Sequence, residues 1–160
     1  MDSFYHAIQT ICVYAIPLIF AITLHESAHG WAAGRLGDPT ATMLGRVTIN
    51  PIPHIDPIGT IAVPGALLLM SALTGGGGLL FGWAKPVPVN MMRFRSPKRG
   101  MALTALAGPV SNFVLALLAL LCARLVYHQY GALWDFIFDL LLTTAYLSVG
   151  LGLFNLIPTV

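Results

Sequence analysis

The 160-residue sequence predicts an all-α polytopic membrane protein. It would have three core transmembrane helices, one re-entrant or broken apolar segment and a short extended or β segment. Three observations carry that expectation. Charged residues make up 9% of the chain, against roughly 25% in a soluble domain. Hydrophobic residues make up 57%, and mean hydropathy is +0.81. The apolar residues also gather in uncharged runs at 3–25, 57–84, 100–123 and 140–160. At about 20 residues per helix, each run is long enough for a hydrocarbon core of roughly 30 Å. So few charges cannot cover a water-soluble surface, and so apolar a chain is not disordered. A net charge of +2 on so little polar surface excludes a nucleic-acid binder.

The elements follow in order. Helix is the default wherever lipid surrounds the backbone, because every N–H and C=O must be paired within the protein. Helices are expected at about 4–36, 101–127 and 133–157. The first is not a secretory signal: Asp2 stands where a basic n-region belongs, and Arg35 is the first cationic side chain. Cys12 and Cys122 lie in separate apolar runs, which argues for buried small hydrophobes rather than a disulfide or thiolate site.

The run at 57–84 is the exception. Lys85, Arg93, Arg95, Lys98 and Arg99 cluster after it, marking that loop as cytoplasmic. The N-terminus lacks Lys and Arg, whereas Arg35 and Arg46 lie at and beyond the end of the first helix, so that helix runs from outside to inside. Loops 37–57 and 82–100 then share the cytoplasmic side, and 57–81 must enter and leave by one face. Pro64-Gly65 and Gly75 to Gly78 are positioned to break it. The alternative is a tilted true span over about 58–73. Pro86 and Pro88 make 83–90 an extended chain. Trp31, Tyr127, Tyr130 and Trp134 are expected in interfacial belts, and Arg93 to Arg99 at lipid headgroups.

One motif carries chemistry. His25-Glu26-Ser27-Ala28-His29 is an H-E-x-x-H sequence at the end of the first run. On a helix, positions i and i+4 share a face, so both imidazoles can hold one metal ion. Neutral imidazoles suit Zn²⁺, which uses three protein ligands and one open position in catalytic sites. Zn²⁺ lowers the pKa of a bound water towards about 7, and the adjacent Glu26 can accept its proton. A chance match on a surface helix is the bland alternative. Glu26 is the chain's only glutamate, however, and it ends a long uncharged run. An ionisable group there costs about 2.5–3.5 kcal/mol on insertion scales, which favours a functional role.

A membrane-embedded H-E-x-x-H resembles that of the site-2 protease family of intramembrane zinc metalloproteases, of the small multi-pass bacterial and archaeal type. Other segments are similar in the same order. They are Leu-Gly-Asp-Pro-Thr-Ala at 36–41, Asn-Pro-Ile-Pro-His-Ile-Asp-Pro-Ile-Gly at 50–59, Phe-Gly-Trp-Ala-Lys-Pro-Val-Pro-Val at 81–89 and Gly-Pro-Val-Ser-Asn at 108–112. The resemblance covers about 24–158. It implies a single membrane-embedded protease domain over 1–160 that hydrolyses a peptide bond in or next to a transmembrane segment of a substrate protein. Zn²⁺ would be held by His25 and His29, with Glu26 as catalytic base. Asn155 would lie beside the substrate with Asn112 in support, and the extended segment near the active site would hold unwound substrate backbone. The implied setting is the cytoplasmic membrane, in contact with lipid.

The family's third ligand is an Asp in N-x-x-P-x-P-P-L-D-G. Asn155-Leu156-Ile157-Pro158 matches its start, but Thr159-Val160 does not continue it and no L-D-G occurs in the chain. The chain thus resembles a member cut short before its third ligand. The alternative function is accordingly an inactive member acting as a membrane-binding or scaffold protein. His54 and Asp56 are substitute ligand candidates. For His54 a hydrogen-bonded turn role is the plainer expectation, and for Asp38 a turn or cap role.

Overall fold

A computed structural model describes residues 2–74 and 83–157. Its α-helices are α1 (Asp2–Leu36), α2 (Thr40–Met43), α3 (Val63–Thr74), α4 (Pro97–Val126) and α5 (Ala132–Leu156). Short 3₁₀ turns occupy Ile52–His54 and Met91–Arg93, and a π-helical turn covers Pro57–Ala62. Three apolar helices are long enough to cross a bilayer, with spans of 29, 30 and 25 residues in α1, α4 and α5. The protein is a membrane protein of all-α type. Among the described residues there is no strand.

The three long helices pack against one another, and small residues make this possible. Along α4, Thr104, Gly108, Asn112, Ala116, Ala119 and Ala123 form a buried stripe at helical spacing. Leu103, Leu106, Val110, Val114 and Leu117 face outward on the same helix. Helix α5 turns Thr144, Ala145, Ser148 and Gly152 inward. Lipid is as apolar as leucine, so small residues that bring backbones together hold such a bundle better than large ones.

Helix α1 ends where expected. Gly37 adopts φ +113°, and Asp38 N–H returns to Ala33 O at 2.9 Å, closing a Schellman-type cap. At the other end of the bundle, Gly131 with φ +117° opens α5 and accepts from Trp134 and Asp135 N–H.

The fourth apolar segment starts at Asp56, whose carboxylate caps the π-turn by accepting from Ile58 N–H (3.0 Å) and Gly59 N–H (2.7 Å). Contrary to the expectation of a break at Pro64-Gly65, the chain stays helical through both. The chain is helical from Pro57 onward, so Pro64 lies inside the helix, and Gly59 O of the preceding turn takes its donor from Trp83 N–H instead. The expected break at Gly75 to Gly78 lies outside the described residues. When the chain is next described it is back beside the segment's start. Trp83 N–H donates to Gly59 O (3.1 Å), and Thr60 Oγ1 donates to Trp83 O (2.8 Å). A Cβ on Gly59 would overlap the Trp83 indole.

Residues 83–90 are non-helical, as Pro86 and Pro88 require. They form a strap tied at several points. Lys85 N–H donates to His54 O at 3.0 Å, Arg46 donates to Pro86 O at 3.4 Å, and Asn90 N–H donates to Asp38 Oδ2 at 2.6 Å. The loops after α1 and before α4 therefore lie together at one end of the bundle.

Candidate metal centre

His25 and His29 stand one turn apart on α1, with ring centroids 4.7 Å apart and planes at 83°. Each ring is oriented from α4. His29 Nδ1 lies 2.7 Å from Thr104 O. A carbonyl only accepts, so Nδ1 carries the proton and Nε2 keeps its lone pair. His25 Nδ1 lies 3.0 Å from the Asn112 amide, whose Oδ1 has no other partner in a fully buried position. Amide O and N are distinguished by their hydrogen bonds. As placed, Asn112 Nδ2 faces His25 Nδ1 and the ring also hydrogen-bonds the Gly108 backbone; with Oδ1 turned towards Nδ1–H instead, Nε2 would carry the lone pair.

Both Nε2 atoms lie against the same spot on α4. A Cβ added to Gly108 would come within 2.6 Å of His25 Nε2 and closer still to His29 Nε2. Thr104, Gly108 and Asn112 are spaced i, i+4, i+8, so one helical stripe supplies two orienting groups with a bare backbone between them. Two imidazoles one turn apart, with both Nδ1 atoms engaged and both Nε2 atoms close to one point, suit a metal cation. Among the described residues, no group of three or more His, Cys, Asp or Glu side chains could complete the ligand set.

Glu26 is set apart from that pair. Its Oε2 accepts from Val87 N–H at 3.1 Å. The strap can approach because the next turn of α1 is Gly30, where an added Cβ would lie 2.9 Å from Val47 Cγ2 and 3.3 Å from Val87 Cγ1. Glu26 is partly exposed, as proton exchange requires.

The other expected residues divide. His54 is 2% exposed, with Nε2 3.3 Å from Thr48 O and 3.4 Å from Ser27 Oγ. Ser27 Oγ also donates to Thr48 O at 2.5 Å. His54 thus stands as a buried, hydrogen-bonded turn residue beside the motif, and Asp56 is a helix cap. Asn155 is exposed, and its amide donates to Leu151 O on its own helix at 2.8 Å. No hydrogen bond links it to His25, Glu26 or His29. Of the two asparagines, Asn112 is the one beside the histidines.

Asp38 is fully buried at the end of α1 and accepts from Thr40 N–H, Thr40 Oγ1 and Asn90 N–H. Burial pushes its carboxyl upward, but these hydrogen bonds and the nearby Arg93 outweigh that and hold it below its ordinary 3.8. Thr104 and Val87 were not legible as site residues, because each acts through a backbone atom. For Thr104 the only signal is its four-residue spacing from Gly108; for Val87 it is the flanking prolines.

Several known proteins are similar to the chain. "Putative zinc metalloprotease YwhC" of Bacillus subtilis is 38% identical to the chain, over 99% of the chain and 68% of that protein. "Putative zinc metalloprotease Rip2" of Mycobacterium tuberculosis is 31% identical, over 88% of the chain and 49% of that protein. Its namesake in Mycolicibacterium smegmatis is 27% identical, over 73% of the chain and 39% of that protein. No protein-family profile and no solved structure matches the chain. The chain belongs to the site-2 protease family. It spans about two thirds of YwhC and about half or less of the Rip2 proteins.

Proposed function

We propose that this chain is the catalytic core of a zinc-dependent protease that cleaves a substrate protein in or next to a transmembrane segment. The observation that carries this reading is the pair of Nε2 atoms lying side by side against Gly108, with both Nδ1 atoms engaged by α4. His25 and His29 would hold Zn²⁺, which when bound polarises the scissile carbonyl and makes water acidic. Glu26 accepts a proton from the attacking water and passes it to the leaving amine. Asn112 and Thr104 hold the two imidazoles in register throughout. Asn155 is assigned to substrate contact by family resemblance alone.

The membrane arrangement belongs to the same proposal. Trp83 lies back beside Gly59 and Thr60, where the apolar segment starts, which supports a re-entrant path with the strap and the motif at the cytoplasmic face of the cell membrane. The strap is proposed to line the route of the unwound substrate. Pro86 and Pro88 lack N–H groups, so at those positions it offers substrate only carbonyl acceptors. Lys98 and Arg99 at the start of α4 suit anionic lipid headgroups.

One observation favours a second reading. The described residues supply two metal-binding imidazoles and no third ligand, which fits a membrane-binding or scaffold member. Metal analysis and cleavage separate the two. The protease reading expects one zinc per chain, lost in His25→Ala, and cleavage of a transmembrane reporter that Glu26→Gln abolishes while zinc remains. A chain without zinc, or cleavage that survives Glu26→Gln, overturns it.

A further inference from the structure

We propose that the backbone N–H of Val87 is a positioning donor for Glu26, and that the strap at 83–90 is built to deliver it. This rests on the reading of Glu26 as the base. Among the described residues, Val87 N–H is the only hydrogen-bond partner of that carboxylate, at 3.1 Å. Pro86 and Pro88 flank Val87 and have no N–H, so neither neighbour can take over the contact. A carboxylate held through one oxygen by a fixed donor presents the other to water without a search over rotamers.

The strap is rigid enough for that task. Upstream of Val87, Trp83 and Lys85 N–H donate to Gly59 O at 3.1 Å and His54 O at 3.0 Å, and Arg46 reaches Pro86 O at 3.4 Å. Downstream, Asn90 N–H is held by the buried Asp38 at 2.6 Å. Two prolines restrict the chain between these ties. Glu26 and Gly30 share a face of α1, so the missing side chain at Gly30 sets the depth at which Val87 lies against the helix. The contact joins residues 61 apart in sequence through a backbone atom, so no side-chain motif reports it.

Two measurements on the intact chain test this. Pairing ¹³C-carbonyl proline with ¹⁵N-valine selects the amides of Val87, Val89 and Val110, the three valines that follow proline. Glu26→Ala is expected to move the Val87 amide proton upfield and leave Val89 and Val110 in place. An unmoved Val87 signal overturns the proposal. For function, replacing the Val87 amide by an ester removes the N–H alone. The expected result is a kcat lower by roughly tenfold or more, the cost of one hydrogen bond to a charged group. KM and zinc content stay near wild type. No loss of kcat in the ester, or a loss that comes with loss of zinc, overturns the positioning role. Failure of the protease reading looks different: the Val87 amide still responds to Glu26→Ala, but the wild-type chain cleaves nothing.

Discussion

A methyl group at position 108 would clash with both imidazole Nε2 atoms and force the rings apart. Gly108→Ala should therefore abolish zinc binding, measured as metal per chain after dialysis, while the helical circular dichroism spectrum is preserved. Zinc retained at wild-type stoichiometry would mean that the metal sits elsewhere. Asp38 yields a second expectation. Its folded pKa lies below the ordinary value, so the associated stability is present above the unfolded pKa and is lost as pH falls through the folded one. Asp38→Asn should lower stability near neutral pH by about 2 kcal/mol, through the weakened hold on Asn90 and Thr40. It should also flatten the acid limb of a detergent unfolding curve below about pH 4. Single residues were the most legible level of the site. His25, Glu26 and His29 announce themselves by spacing, whereas Thr104 and Val87 contribute backbone atoms that any residue other than proline at 87 could supply.

The long helices behave as their composition demands. Small residues of α4 face the bundle and its leucines face outward, so substitution costs should reverse those of a water-soluble core. Ala116→Leu should destabilise the bundle by about 1–3 kcal/mol through overpacking, read from unfolding in mixed micelles. Leu117→Ala, at a position 58% exposed, should change stability by about 0.5 kcal/mol or less. Equal effects would show that packing does not distinguish the two faces of α4. The boundaries of the three long helices were legible because charge and proline mark them. The helical passage through Pro64-Gly65 was not, since a proline's effect depends on whether the carbonyl it leaves free finds another donor.

Seen as one body, the chain gathers its polar connections at one end of the bundle, where the strap ties α1 to the loop before α4. A re-entrant path for the fourth apolar segment predicts that Ile49 and Met92, 73% and 80% exposed, face the same compartment. With Cys12 and Cys122 replaced by alanine, Ile49→Cys and Met92→Cys should react with an impermeant maleimide from the same side of inverted vesicles. Labelling from opposite sides would make that segment a true span and remove the strap from the motif.

Hydropathy, charge placement and an i, i+4 pair of histidines beside a lone glutamate are local quantities. They established the membrane class, the three long helices and the chemistry offered by α1. The partners of those three side chains lie 61 to 87 residues away, on α4 and the strap. Which stripe of α4 meets α1, and which backbone amide meets Glu26, depend on how helices and loops pack. Close packing depends on shapes brought together from distant parts of the chain, and no local pattern encodes it.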